Sequence, residues 1–221
     1  MPLGECIFNK PRTLLLMEQC YIGLKRLQKA IAIYQKTVPG GSVDEFHVSW
    51  EPYYLDRNPP PQSIPKRARM LQRFGNEEAM EKAIELLKRR GYAEGIDFKF
   101  DGKIGSTRAS HKIIKLAGLK SGELQNRVVE SLFLGHLEEN KDIDEFDDLV
   151  EMAARGGLER EEVKDLLRRG ADEEIDREAS KARESGINGV PRFLINGEAI
   201  DGAQDPSDFF DLFLTLKEEK I

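Results

Sequence analysis

Cysteine, histidine and tryptophan are all scarce in this chain. Two cysteines, Cys6 and Cys20, three histidines and one tryptophan occur in 221 residues. Two cysteines are too few for the disulfide framework of a small secreted domain. A structural metal site draws on about four closely spaced Cys or His ligands, and the sequence supplies no such group, so no metal is expected. Long apolar runs are missing as well. The opening "MPLGECIFNK" carries Glu5 and no cationic start, and nothing apolar follows beyond "LLLM". That is neither a secretory signal nor a membrane span. A cytoplasmic, reducing location is the expectation, with no membrane partner. Long Lys/Arg runs and basic-aromatic stripes are also lacking, and the net charge is −6. A phosphate backbone is therefore no expected partner, which sets nucleic acid aside. The oligomeric state is not legible.

What is present is a charged, globular composition. Charged residues make up 33% and hydrophobic residues 39% of the chain, enough for a substantial core. Residues 21–37 place Ile22, Leu24, Leu27, Ile31 and Tyr34 near helical spacing, and "VPGG" ends the run. "FHVSW" (46–50) alternates like a strand. "DRNPPPQSIP" is a loop, because three consecutive prolines continue neither helix nor ladder. From Pro65 to Glu184 the pattern is nearly all helical. Asn76 is the expected N-cap of a helix that Gly91 closes. Further helices are expected at 107–118, 122–138, 144–154, 159–169 and 172–185, with "IDFKF" (96–100) as an extended piece between. The acidic run 138–148 lacks calcium-loop spacing and reads as solvated loop and helix start.

After Gly186 the period returns to two. Asn196-Gly197 suits a type I′ hairpin, since both residues can take positive φ. Asp205-Pro206 then opens a last helix. The plan is β–α–β, a helical block, then β–β–α. Its first strand has to come from "IFNKPRTLLL", where Pro11 makes a poor central strand.

Candidate chemistry is confined to a few positions. Val190-Pro191 stands at the start of an apolar strand. An X-Pro bond there is either an ordinary trans proline or a cis turn that presents the Val190 backbone to an extended ligand. Cys20 admits three readings: a buried inert thiol, a one-cysteine site forming mixed disulfides, or a partner of Cys6 in a disulfide. His111 reads as a capped or surface helix histidine unless a partner is found. Arg108 reads as a solvated or ion-paired arginine. His47 lies on the polar face of a strand and His136 near a helix end, and neither requires catalysis. Trp50 and Tyr53 read as core and cleft wall.

Four segments in fixed order, "CYIGLKRLQKAI", "VSWEPYYLDRNPP", "GSTRASHKIIKLA" and "GINGVPRFLINGEAIDGAQDPSDFFDLF", resemble the DsbA-like thioredoxin family. The likeness is to the cytosolic FrnE-type branch, described as dithiol-disulfide isomerases associated with polyketide biosynthesis. It implies an α/β, thioredoxin-like fold with an inserted all-helical domain. Residues 1–62 and 183–221 would form the thioredoxin-like domain and 63–182 the insertion. It also implies a cis bond before Pro191, a family histidine at His111, and a ligand site from Val190, Pro191, His111 and Trp50. The family motif is C-P-W-C followed by Y-[IV]-G. Here the window reads Met17-Glu18-Gln19-Cys20-Tyr21-Ile22-Gly23. The second cysteine survives and the first is replaced by Met17. In such a motif the first sulfur is exposed at a helix N-terminus, where the dipole lowers its pKa, and the second resolves the mixed disulfide. A thioether does not ionise, so Met17 marks a lost nucleophile and Cys20 a resolving-type thiol. Impaired thiol–disulfide exchange or isomerisation is the implied function. The alternatives are a binding protein without turnover, or a relative of the glutathione-dependent kappa-class transferases and isomerases. Expected partners are thiol- or disulfide-bearing peptides or small molecules, with no resident cofactor beyond possible glutathione. The likeness stops at the active-site turn, the pattern an altered first exon would produce.

Overall fold

The computed structural model describes residues 6–8, 18–54, 56, 59–170, 173–184 and 189–219, with the backbone alone at 6–8, 182 and 183. Strand β1 (Cys6–Phe8) leads to helix α1 (Glu18–Thr37) and strand β2 (Phe46–Val48), which runs parallel to β1 with Cys6 opposite Phe46. The first strand therefore forms, over three residues that precede Pro11 in the sequence. At the other end β5 (Arg192–Ile195) and β6 (Glu198–Asp201) make the expected hairpin, and helix α9 (Pro206–Glu218) follows. Asn196 and Gly197 both take positive φ, 50° and 97°, as a type I′ turn demands. β5 lies beside β1, which closes the thioredoxin-like half around α1.

Between these halves stand α2 (Lys66–Phe74), α3 (Glu77–Ala93), α4 (Arg108–Lys120), α5 (Gly122–Leu137), α6 (Phe146–Gly156), α7 (Arg160–Arg168) and α8 (Glu173–Glu184). A short antiparallel pair, β3 (Ile64–Pro65) and β4 (Lys103–Ile104), ties the entry of α2 to the entry of α4. Asn76 caps α3 as expected, its side chain accepting from the Ala79 N–H at 2.9 Å. Gly91 does not close that helix. It lies within the last turn, because a Cβ there would stand 2.5 Å from the Phe98 ring, and Gly95 at φ 77° makes the turn instead. Residues 96–100 are extended but pair with no strand. Ile96, Phe98 and Phe100 are buried, and the Lys99 and Asp97 N–H groups donate to the Leu137 carbonyl and the Glu138 carboxylate, so core packing and bonds to the end of α5 hold this piece.

Two apolar clusters result. The smaller packs Leu27, Ala30 and Tyr34 of α1 against Phe193 and Ile195 of β5 and Phe209 and Phe213 of α9. The larger fills the helical half and takes in Cys20, Tyr21, Ile22 and Leu24. α1 thus serves both cores: its first turns face the helical half and its later turns the hairpin.

Candidate functional site

The site is built around the head of α1. The helix begins at Glu18, three residues before the hydrophobic pattern becomes legible, so Cys20 lies inside the first turn. Cys20 is 1% exposed and belongs to the larger core. Tyr21 stacks on Phe133 at 5.0 Å and donates to Glu138 at 2.9 Å. These contacts hold the helix head against α5. Burial and the Glu138 carboxylate both push the Tyr21 phenol upward, so it stays a donor.

One turn further, Gly23 meets the C-terminal hairpin. A Cβ on Gly23 would lie 3.2 Å from Pro191 and 3.0 Å from the Phe193 ring. That is closer than most side chains pack, so a larger residue here would make the hairpin give by a few tenths of an ångström. The Val190-Pro191 bond is cis, and the Pro191 carbonyl accepts from the Gly202 N–H at 2.8 Å. The turn expected to face the surviving cysteine does pack on its helix. Val190 is half-buried beside it.

A cavity of about 810 Å³ opens at the same helix head. Glu18 and Gln19 form one wall, α2 and α3 another, and Tyr54 with the start of α4 a third. At its inner end Lys66 is 5% exposed and donates to the carbonyls of His136 and Lys99. A cation at the last carbonyls of α5 is favourable, whereas its own place at the start of α2 is not. Burial lowers its ammonium pKa to about 8, partly offset by Glu18. Burial likewise raises the Glu18 carboxyl, opposed by hydrogen bonding and by Lys66 and Arg73. His136 Nδ1 donates to the Lys141 carbonyl at 2.9 Å, which leaves Nε2 unprotonated. Burial, aided by Lys66, drops its pKa to about 3. A neutral imidazole, a carboxyl and an amine of lowered pKa therefore line one recess.

The other expected residues are dispersed. His111 is buried, not at the surface. It hydrogen-bonds the Tyr53 backbone, its ring lies 5.3 Å from Tyr54, and burial lowers its pKa to about 4. Its Nε2 has no hydrogen-bond partner among the described residues. It sits one helical turn behind the cavity residues Thr107 and Arg108, with Tyr54 between. Arg108 pairs with Asp176 at 3.3 Å and lies over the Tyr54 ring. Trp50 is core, not cavity wall: its indole donates to Asn126 at 2.7 Å, and Gln125 clasps its backbone N–H and carbonyl. Met17 lies outside the described residues. Among those that are described there is no disulfide and no cluster of metal-ligating side chains. No helix among them is long and apolar enough to cross a membrane.

Sequence reasoning passed over Glu18, Lys66, Arg73 and Arg90, all on the cavity wall. The spacing of Lys66, Arg69, Met70 and Arg73 was a usable signal, since i, i+3, i+4 and i+7 share one helical face. A lysine at the first position of a helix, against the dipole, was another.

Comparison with known proteins agrees with this architecture. No curated protein matches the chain. Among solved structures, a "probable DsbA oxidoreductase" of Streptomyces coelicolor superposes with a TM-score of 0.76 at 23% identity, covering 93% of this chain and 87% of its own. A candidate protein disulfide isomerase of Nitrosomonas europaea gives 0.63 at 12% identity, covering 93% and 94%. A 2-hydroxychromene-2-carboxylate isomerase gives 0.55 at 16%, covering 92% and 91%. Identities this low speak for the fold alone. The model of the DSBA-like thioredoxin domain matches residues 19–213, and the chain belongs to that family.

Proposed function

We propose that this chain is a FrnE-type DsbA-like oxidoreductase whose dithiol turnover is impaired, with its ligand received in the cleft at the head of α1. The carrying observation is the packing of Pro191 on Gly23, one turn beyond Cys20. Residues 1–62 and 183–221 serve as the thioredoxin-like unit and 63–182 as the insertion. The ligand is a thiol- or disulfide-bearing peptide or small molecule. A reducing, cytoplasmic setting suits the chemistry, since it keeps Cys20 as a thiol.

For one sulfur the balanced step is attack of the Cys20 thiolate on a substrate disulfide. A mixed disulfide forms and one substrate thiolate leaves. The 1% exposure of Cys20 opposes that attack, as expected of a resolving sulfur without its nucleophile. Wild type should therefore reduce insulin with dithiothreitol little faster than buffer. Met17→Cys should raise the rate at least tenfold, and Met17→Cys combined with Cys20→Ser should lose most of that gain. A folded Met17→Cys variant with no gain would falsify the site assignment.

A second reading, binding without turnover, is favoured by the size and charge of the cavity, which is lined by five cationic side chains and two carboxylates. Glutathione, a peptide anion, suits such a lining. Calorimetric titration with glutathione and its disulfide separates the readings: binding with no exchange activity even in Met17→Cys supports the second.

A further inference from the structure

Two helices line the cleft by one face each. On α2 the lining residues Lys66, Arg69, Met70 and Arg73 share a face with Phe74, and Gln72 flanks it; on α3 the face is Ala83, Leu86, Leu87 and Arg90. Both follow the i, i+3, i+4, i+7 spacing that puts residues on one side of a helix. An inward face is ordinarily apolar throughout. Here the α3 face is apolar until Arg90, the α2 face is mostly cationic around Met70, and the two arginines at positions i+7 line the same cavity.

Charge makes the same point. The whole chain carries −6. The cavity lining reverses that sign, with Lys66, Arg69, Arg73, Arg90 and Arg108 against Glu18 and Asp56. Arg69 is taken by Asp56, and Arg108 by Asp176. Lys66 is committed to backbone carbonyls. Arg73 feels Glu18 from across the recess. Concentrating cations in a cleft of an acidic protein costs self-repulsion that an incoming anion relieves.

The apolar side of the wall is equally incomplete. Phe74 and Leu86 are each 37% exposed, and both line the cleft. Met70 and Leu87 continue the surface inward. Covering this apolar area removes it from water, which favours a ligand with an apolar part.

We propose that the α2–α3 wall binds an amphiphilic organic anion: an apolar chain or ring lies across Phe74, Leu86 and Leu87, and its carboxylate or phosphate is held between Arg73 and Arg90. The inference rests on the cleft being the ligand site, not on thiol chemistry. It names the class of molecule that the cleft admits, whatever sulfur that molecule carries.

The test is calorimetric titration of the full chain with decanoate, octyl phosphate, decanol and decyltrimethylammonium. At least one of the two anions should bind tenfold or more tightly than decanol and the cation, and the better of the two identifies the head group. Arg73→Met and Arg90→Met, which keep length and apolar stem, should each weaken anion binding at least tenfold and leave decanol unchanged. Leu86→Asp should weaken every probe. Lys82→Met, at an exposed ion pair with Glu78 outside the cleft, should change nothing. Thermal unfolding of each variant separates lost binding from lost fold. Equal binding of anion and cation, no binding of either anion at millimolar concentration, or anion affinity untouched by both arginine variants would overturn the proposal. The insulin assay on Met17→Cys is read independently, so failed redox chemistry and failed anion binding are distinguished.

Discussion

At the scale of single residues, Gly23 is the position where the two candidate elements touch. Its hydrogen leaves room for Pro191 and the Phe193 ring, which a methyl would have to push aside by a few tenths of an ångström. Gly23→Ala sets the cost of overpacking a tight contact against the roughly 1 kcal/mol that alanine gains over glycine in a helix, so urea unfolding should show a net loss of about 1 kcal/mol. An unchanged midpoint would mean that the hairpin is not seated there. The two buried histidines make a pH-dependent prediction. Their folded pKa values, about 4 for His111 and about 3 for His136, lie below the ordinary 6.5. The unfolded chain then binds more protons between those limits, so stability is complete above pH 6.5 and falls as pH drops. Each histidine should contribute a slope of roughly 1.4 kcal/mol per pH unit below pH 6, ending near pH 4 for His111. His111→Gln should remove one such slope, which urea unfolding at stepped pH will show. Glu18 opposes this trend, because its carboxyl is raised and favours the folded state at low pH.

At the scale of elements, α1 is the shared beam, and side chains from elsewhere lock it. Arg26 donates to Glu94 at 2.7 Å at the end of α3, to the Ala203 carbonyl at 2.8 Å, and pairs with Asp205 at 2.9 Å where α9 begins. One guanidinium thus joins three elements distant in sequence, and Glu94 is nearly buried. Arg26→Ala should cost about 2–3 kcal/mol, because it strands a shielded carboxylate as well as removing charged hydrogen bonds. Arg26→Lys should recover little, since a point charge does not reproduce the fork. Gln125 and Asn126 play the matching part on α5. They bond Trp50 on both sides of its backbone and at its indole, and Asn126 also takes the Val48 carbonyl at 2.8 Å. Two side chains there satisfy the backbone of Trp50 and the Val48 carbonyl beyond the end of β2.

At the scale of the whole molecule, the two cores meet along α1 and at β2, where Val48 packs against both. Breaking that joint should loosen the halves before either unfolds. Asn126→Ala should therefore speed hydrogen exchange in β2 and the first turns of α1 more than within α4 and α5. The same joint explains the state of Cys20. Its thiol belongs to the core of the helical half, so labelling by a disulfide reagent should be slow in native protein and complete on unfolding. Fast native labelling would contradict that burial.

Periodicity and turn chemistry are local, and what depends on them was legible in the sequence. The 3.6-residue pattern showed the helical block, Asn76 and Asp205-Pro206 marked helix starts, and Asn196-Gly197 marked the hairpin. The order of motifs around Cys20 and Pro191 carried the family. Gly91 misled, because a glycine near a helix end usually stops it, while here the distant Phe98 ring required the missing side chain. Trp50 was read as core and is buried, whereas His111 could be named but not placed, since its burial depends on which helices pack over it. The cleft was invisible for the same reason. Its wall joins residues 18, 66, 73, 90 and 136, and only the packing of α1 against the helical half brings them together. Nearest-neighbour physics acts along the chain and can be read from it. Burial, shifted pKa values and a shared cavity arise between segments far apart, and only the tertiary structure decided them.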